Sequence, residues 1–314
     1  MDGEMSAPLA HRYHVVEVPV VGGRLHVGVW EAEVDDAPTV VLIHGVTASH
    51  LAWQWVAEAL PDVRLVAPDL RGRGRSNGVT GPAGMGVHAD DLAAVLTHLQ
   101  VEPTVVVGHS MGAFVSVVFA HRHPQRATGL VLIDGGLPLD TPAGVAVDDL
   151  VAAILGPTAA RLRMRFDDVT AYVDFWREHP AFGGTISPQL QSYFAYDLVT
   201  DGDRLRPATR YEVTAADTVD LTSGRDLAAA LDALAAMSEA TSITTWITVA
   251  RGLQNEPPGL YSPADVERLI EEFPAVSHVR WSDLNHYTVV MNPRGAHRVA
   301  ELIHAALAEA QRQR

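Results

Sequence analysis

Thr104-Val105-Val106-Val107-Gly108-His109-Ser110-Met111-Gly112 runs directly into the apolar stretch Ala113 to Ala120. The first four residues read as a short buried strand and the last eight as a helix, so Ser110 stands on a sharp strand-to-helix turn, a nucleophile elbow. Such a turn forces the serine into a strained backbone conformation and lifts its side chain clear at the top of the sheet. Strand and helix approach closely there, so the flanking positions must be nearly free of side chain, and Gly108 and Gly112 meet that need. The pattern G-x-S-x-G is weak alone; the strand before it and the helix after it carry the reading.

Outward from this turn, short apolar strands alternate with helical spacing. Tyr13 to Val20 and Arg24 to Trp30, joined by Gly22-Gly23, form a hairpin. Strands are expected at Thr39 to Ile43, Val63 to Ala67, Gly129 to Ile133, Ser242 to Val249 and Ser277 to Trp281. Helices are expected at Leu51 to Leu60, Val87 to Leu99, Ser110 to Arg122, Ala264 to Phe273 and Pro293 to Ala310. This alternation means an α/β protein with a mostly parallel, doubly wound sheet covered on both faces. It stops between Leu137 and Thr241, which read as helices, including Tyr172 to His179 and Leu190 to Leu198, with no buried strand between them. That block is an insertion into the sheet. The expected core is 1–136 with 242–314, and the insertion is 137–241.

The 314 residues are 47% hydrophobic and 19% charged, enough to bury a large core. The net charge of −15 argues against nucleic acid and anionic membrane surfaces as partners. There is no cysteine and no lysine, which removes disulfides, thiol nucleophiles, zinc-thiolate sites, Schiff-base chemistry and P-loop phosphate binding. The first twelve residues, with Asp2 and Glu4, lack the apolar segment of a secretory signal, and no run of about 18 apolar residues spans a membrane. A cytoplasmic protein with frayed first ten residues is expected, a monomer or a homodimer.

An activated serine needs a base, an orienting acid and donors for an oxyanion. His286, in Asn285-His286-Tyr287 after the last strand, is the candidate base, because a loop at the carboxyl end of that strand faces the elbow. Three acids compete to orient it. Asp134 ends the strand after the elbow's helix and precedes Gly135-Gly136; Glu256 closes Gln254-Asn255-Glu256; Asp283 lies just before His286, tethered too closely to reach the far ring nitrogen. Asn255 carries no charge to stabilise an imidazolium. The Met111 N–H, at the start of a helix, and the Val46 N–H, in His44-Gly45-Val46, are the candidate oxyanion donors. His44 reads as a structural residue that orders its loop. Asp69 reads as an acceptor for the loop Arg71-Gly72-Arg73-Gly74-Arg75, whose arginines are solvent-facing or ion-paired. The aromatic set Tyr172, Phe175, Trp176, Tyr193, Phe194 and Tyr196 either fills the insertion's own core or lines an apolar pocket over Ser110. Trp176, Phe194 and Tyr287 are the pocket candidates.

Taken together, His44-Gly45, Asp69 with Gly72 and Gly74, Gly108-His109-Ser110-Met111-Gly112, Asp134 and His286 resemble the α/β-hydrolase superfamily over most of the chain. The resemblance implies an eight-stranded, mostly parallel sheet and a mostly helical cap at 137–241. It also implies a triad of Ser110, Asp134 and His286, with an oxyanion hole from the amides of Val46 and Met111. In most members the acid follows the seventh strand, which here runs into Gln254-Asn255-Glu256; a minority carry it after the sixth, where Asp134 stands. Epoxide hydrolases and haloalkane dehalogenases resemble this fold but place an aspartate where Ser110 stands.

The expectation is a serine hydrolase of carboxylic esters or lactones that uses no metal and no organic cofactor and acts on a small-molecule substrate. A C–C bond hydrolase or a cofactor-free perhydrolase uses the same residues, and a small-molecule binding protein can keep the same scaffold. Ester turnover, diketone or peroxide turnover, and saturable binding without turnover separate the three.

Overall fold

The computed structural model describes residues 7–140, 146–156, 158–238 and 243–313. Eight strands make one sheet: β1 (Tyr13–Val20), β2 (Gly23–Trp30), β3 (Thr39–Ile43), β4 (Arg64–Pro68), β5 (Thr104–His109), β6 (Ala127–Ile133), β9 (Thr244–Arg251) and β10 (Val276–Asn285). A separate hairpin consists of β7 (Leu198–Asp201) and β8 (Arg204–Pro207). The sheet order is β1-β2-β4-β3-β5-β6-β9-β10. Pairing is antiparallel from β1 through β2 to β4 and parallel across the rest.

The helices are α1 (Ala7–Ala10), α2 (Gln54–Ala59), α3 (Met85–His98), α4 (Met111–Arg122), α5 (Val147–Leu155), α6 (Thr158–Arg161), α7 (Val169–Arg177), α8 (Pro188–Tyr196), α9 (Tyr211–Ser223), α10 (Arg225–Ala235), α11 (Pro263–Glu272) and α12 (Pro293–Arg312). Successive strand residues point to opposite faces. Val40 and Leu42 therefore join one core with Val56 of α2 and Val299 and Ile303 of α12. Val41 and Ile43 join the other with Leu92 of α3, Phe119 of α4 and Leu269 of α11. Both faces are covered, which is why these strands read as unbroken apolar runs.

The chain winds outward from β3 to β4, then reverses to place β5 on the other side of β3. In an open parallel sheet, the crevice at such a reversal, beyond the carboxyl ends of the strands, is where ligands bind. Here it lies between the loop after Ile43 and the turn after His109.

One expectation needs correction. Of the first ten residues, expected to be frayed, 7–10 are helical, with Leu9 buried in the core and Arg12 Nη2 donating to the Leu60 carbonyl at 3.0 Å, and 1–6 lie outside the described residues. The insertion, expected to be mostly helical, also holds a short hairpin: Asp201-Gly202-Asp203 turns β7 into β8 with Gly202 at φ 66°. Finally, α10 packs on α4, and its Leu227, Ala230 and Leu234 enter the same core as the sheet. The expected start of β9 at Ser242 and the junction at 241–242 lie outside the described residues.

Candidate active site

Ser110 follows β5 with φ 56° and ψ −124°, a left-handed backbone uncommon for a residue with a Cβ. Its N–H donates to the Ile133 carbonyl of β6 at 2.8 Å, and its carbonyl accepts from the Ala113 N–H at 3.0 Å to start α4. A Cβ on Gly108 would sit 2.2 Å from the Gly112 carbonyl oxygen, and one on Gly112 would sit 2.1 Å from that of Ile43. Glycine at both positions is what lets α4 press against β5 and β3 tightly enough to hold the strained turn.

His286 lies in the loop beyond β10. The Asn285 side-chain oxygen accepts from the N–H groups of Tyr287 and Thr288 at 3.0 and 2.9 Å, and its nitrogen donates to the Ala181 carbonyl at 2.9 Å. The His286 N–H donates to the Arg251 carbonyl at 3.1 Å, and its carbonyl accepts from His109 Nε2 at 2.8 Å. The ring is thus fixed from several sides, and its Nδ1 lies 2.6 Å from Asp134 Oδ2. A carboxylate only accepts, so Nδ1 carries the proton and Nε2 keeps its lone pair. Asp134 is fully buried at φ 44°, and its Oδ1 takes the Val249 N–H at 3.4 Å.

The competing acids point elsewhere. Glu256 is exposed, and its Oε2 accepts from the Gln254 N–H at 2.7 Å. Asp283, exposed near the end of β10, pairs with Arg294 and Arg298 at 2.6 and 2.8 Å.

Val46 and Met111 flank Ser110, and neither amide donates to a protein acceptor among the described residues. Their loop is braced. His44 Nδ1 donates to the Gly45 carbonyl at 2.8 Å, and its Nε2 accepts from the Leu70 N–H at 3.0 Å. Burial pushes the His44 imidazole down to about 4, outweighing the pull of Asp69. Asp69 itself accepts from the N–H groups of His50 and Arg75, from His50 Nδ1 and from the Tyr196 hydroxyl. Two of the loop arginines are buried and ion-paired rather than solvent-facing. Arg71 meets Asp91 at 2.7 Å. Arg73 meets Asp217 at 2.5 Å while its Nε donates to the Val46 carbonyl at 2.9 Å.

Ser110, Val46, Met111 and His286 line one partly enclosed cavity, and its mostly apolar and aromatic lining with a few polar groups is the usual make-up of a small-molecule site. Trp176, Phe194 and Tyr287 all line it. Trp176 and Phe194 stack at 4.8 Å, so the aromatic set serves as insertion core and cavity wall together. Among the lining residues that the sequence did not point to is Asp197, at the end of Tyr193-Phe194-Ala195-Tyr196. Its only sequence signal is a lone acid closing an aromatic run. No group of three or more His, Asp or Glu among the described residues is arranged to hold a metal ion.

Residues 38–194 match the model of the α/β-hydrolase fold family. The chain belongs to that family. Among curated relatives, the lipase LipV of Mycobacterium tuberculosis is 39% identical over 116 residues, covering 37% of this chain and 43% of the lipase. Epoxide hydrolase B of the same organism is 30% identical over 210 residues, covering 64% of this chain and 57% of that enzyme. The matches therefore span roughly half the length of these relatives. The thioesterase domain from the curacin biosynthetic pathway superposes with a TM-score of 0.70 at 20% identity, over 93% of this chain and 99% of that domain. At that identity the likeness speaks for the fold.

Proposed function

We propose that this α/β-hydrolase cleaves carboxylic esters or lactones through a covalent acyl-serine. The observation that carries this reading is the 2.6 Å contact of His286 Nδ1 with buried Asp134, on the same cavity as a serine held in a left-handed turn. Ser110 Oγ attacks the carbonyl carbon while His286 Nε2 takes the hydroxyl proton. Asp134 fixes the tautomer and stabilises the imidazolium. The carbonyl oxygen becomes the oxyanion and is met by the Val46 and Met111 N–H groups, the second at a helix N-terminus. As the tetrahedral adduct collapses, the alkoxide leaves with the proton from His286. Water then gives His286 a proton, attacks the acyl carbon and releases the acid and the free serine. A lactone follows the same course with acid and alcohol in one product.

The serine at position 110 favours this chemistry over epoxide opening, which in this fold resembles an aspartate-nucleophile reaction. The cap, in this reading, runs from 137 to about 224 and excludes α10, because that helix packs on α4. Initial rates with p-nitrophenyl acetate, butyrate and octanoate test the proposal. Wild-type turnover that vanishes in Ser110→Ala supports it. Turnover that survives in Ser110→Ala removes the mechanism. Inert esters with an active diketone, or with peroxide plus acetate, move the reading to a C–C hydrolase or perhydrolase.

A further inference from the structure

Asp197 is 5% exposed, yet it is the one carboxylate among the residues that line the cavity. Its two oxygens differ. Oδ2 receives both Arg161 Nη1 and the Tyr172 hydroxyl. Oδ1 receives no hydrogen bond among the described residues, and it is not among the atoms sealed from the surface. The carboxylate is held through Oδ2, and Oδ1 is the oxygen left without a protein partner on a residue that lines the cavity. Much of the lining is apolar or aromatic, Trp176, Phe182, Phe194 and Leu221 among it, with Thr218 and the tyrosines Tyr193 and Tyr287 also present.

We propose that Asp197 Oδ1 is a substrate-reading acceptor, and that the substrate presents a neutral hydrogen-bond donor, a hydroxyl or an amide N–H, on the part that fills this cavity. The class follows from charge and geometry. Arg161 already balances Asp197, so an ammonium would bring a second cation beside a buried guanidinium. A substrate carboxylate would face the Asp197 oxygen itself. Arg161 offers it no alternative, because its free Nε and Nη2 expose no surface to the cavity. A purely apolar substrate would strip water from Oδ1 and return nothing, and a buried acceptor left unpaired is costly. The same asymmetry gives a site built on a polar contact strong discrimination against analogues that lack it. Burial raises the Asp197 carboxyl, and Arg161 and Tyr172 oppose that rise.

This inference rests on the ester reading, and the test separates the two. Esters with four-, six- and eight-carbon chains are made ending in methyl, hydroxyl or methyl ketone, with the end group on the acyl or on the alcohol side. Wild type should favour the hydroxyl end over the methyl end in kcat/KM by about tenfold or more at one length. Asp197→Asn keeps an oxygen for Arg161 and turns an N–H toward the cavity, so its preference should shift to the ketone end. Loss of fold cannot produce such an inversion. Equal wild-type rates for hydroxyl and methyl ends at every length, or an unchanged order in Asp197→Asn, overturn the inference while leaving the ester reading intact. If no ester turns over, the ester reading fails. The subsite is then read by calorimetry with the matching primary amides: tighter binding of the hydroxyl-ended amide supports it, and equal affinity overturns it.

Discussion

Two buried Asp–His pairs stand at the same end of this sheet and have opposite consequences. His50 Nδ1 lies 2.8 Å from Asp69, and His286 Nδ1 lies 2.6 Å from Asp134. Both carboxylates are fully buried. The difference is the second ring nitrogen. His50 Nε2 is taken by the Tyr13 hydroxyl at 2.7 Å, so that ring is satisfied on both sides and locks β1 to the loop after β4. His286 Nε2 has no protein partner among the described residues, and its ring lines the cavity beside Ser110. A third pair, His88 of α3 with Asp217 of α9, is fully buried, and the other partners of Asp217 are Arg73 and the Gly84 N–H. An aspartate behind a histidine braces structure where both ring nitrogens are taken; in the proposed mechanism the open Nε2 of His286 is the proton acceptor.

The largest predicted effect would break this contrast outright. His286→Ala should lower kcat for a reactive ester by about 10⁴-fold, whereas His50→Ala should stay within about tenfold of wild type and show its cost in melting temperature. Comparable activity losses in both variants would erase the distinction. A second comparison exchanges the carboxylates. Asp134→Asn should cut kcat by about 10³-fold or more through loss of the tautomer restraint. Asp69→Asn should instead lower stability by about 3 kcal/mol, because it weakens a buried site that accepts four hydrogen bonds. Chemical denaturation and steady-state rates on the same preparations separate these outcomes.

The parts of this arrangement that could be read from sequence are those that local chemistry dictates. Strand β3 was expected at the residues where it forms, and β4 and β5 to within two residues, because each is a buried apolar run closed by Gly, Pro or Asp. Ser110, His286 and the Val46 and Met111 amides follow from chain order around those strands. The acid stayed open among Asp134, Glu256 and Asp283, since all three fall at or beyond the carboxyl ends of strands. Only tertiary placement turns the Asp134 carboxylate to His286 and the Glu256 carboxylate back onto its own loop. The β7–β8 hairpin was missed because its four-residue strands carry Thr, Asp and Arg with little alternation. Asp197 was invisible for a different reason. What makes it a cavity acceptor is Arg161, 36 residues earlier, and no local pattern joins them.

The smallest predicted effect sharpens the brace side of the comparison. His44 must be neutral at Nε2 to accept the Leu70 N–H, and burial holds it at about 4 against 6.5 for a free imidazole. Between those values the unfolded chain takes up a proton that the folded protein refuses, so folding stability falls as pH drops from 6.5 to about 4. Burial gives His179 the same sign, also down to about 4. Urea midpoints across that interval should show the slope. His44→Asn should flatten part of it while lowering stability at neutral pH, and an unchanged slope would assign the effect to other groups.

The most direct measurement is intact-mass spectrometry after reaction with diethyl p-nitrophenyl phosphate, followed by peptide mapping, on wild type, Ser110→Ala, Asp134→Asn and Asp69→Asn. The account predicts a single diethylphosphoryl adduct on Ser110, none in Ser110→Ala, slow labelling in Asp134→Asn and near-normal labelling in folded Asp69→Asn. An adduct on another residue, or equal labelling rates in the two aspartate variants, would contradict it.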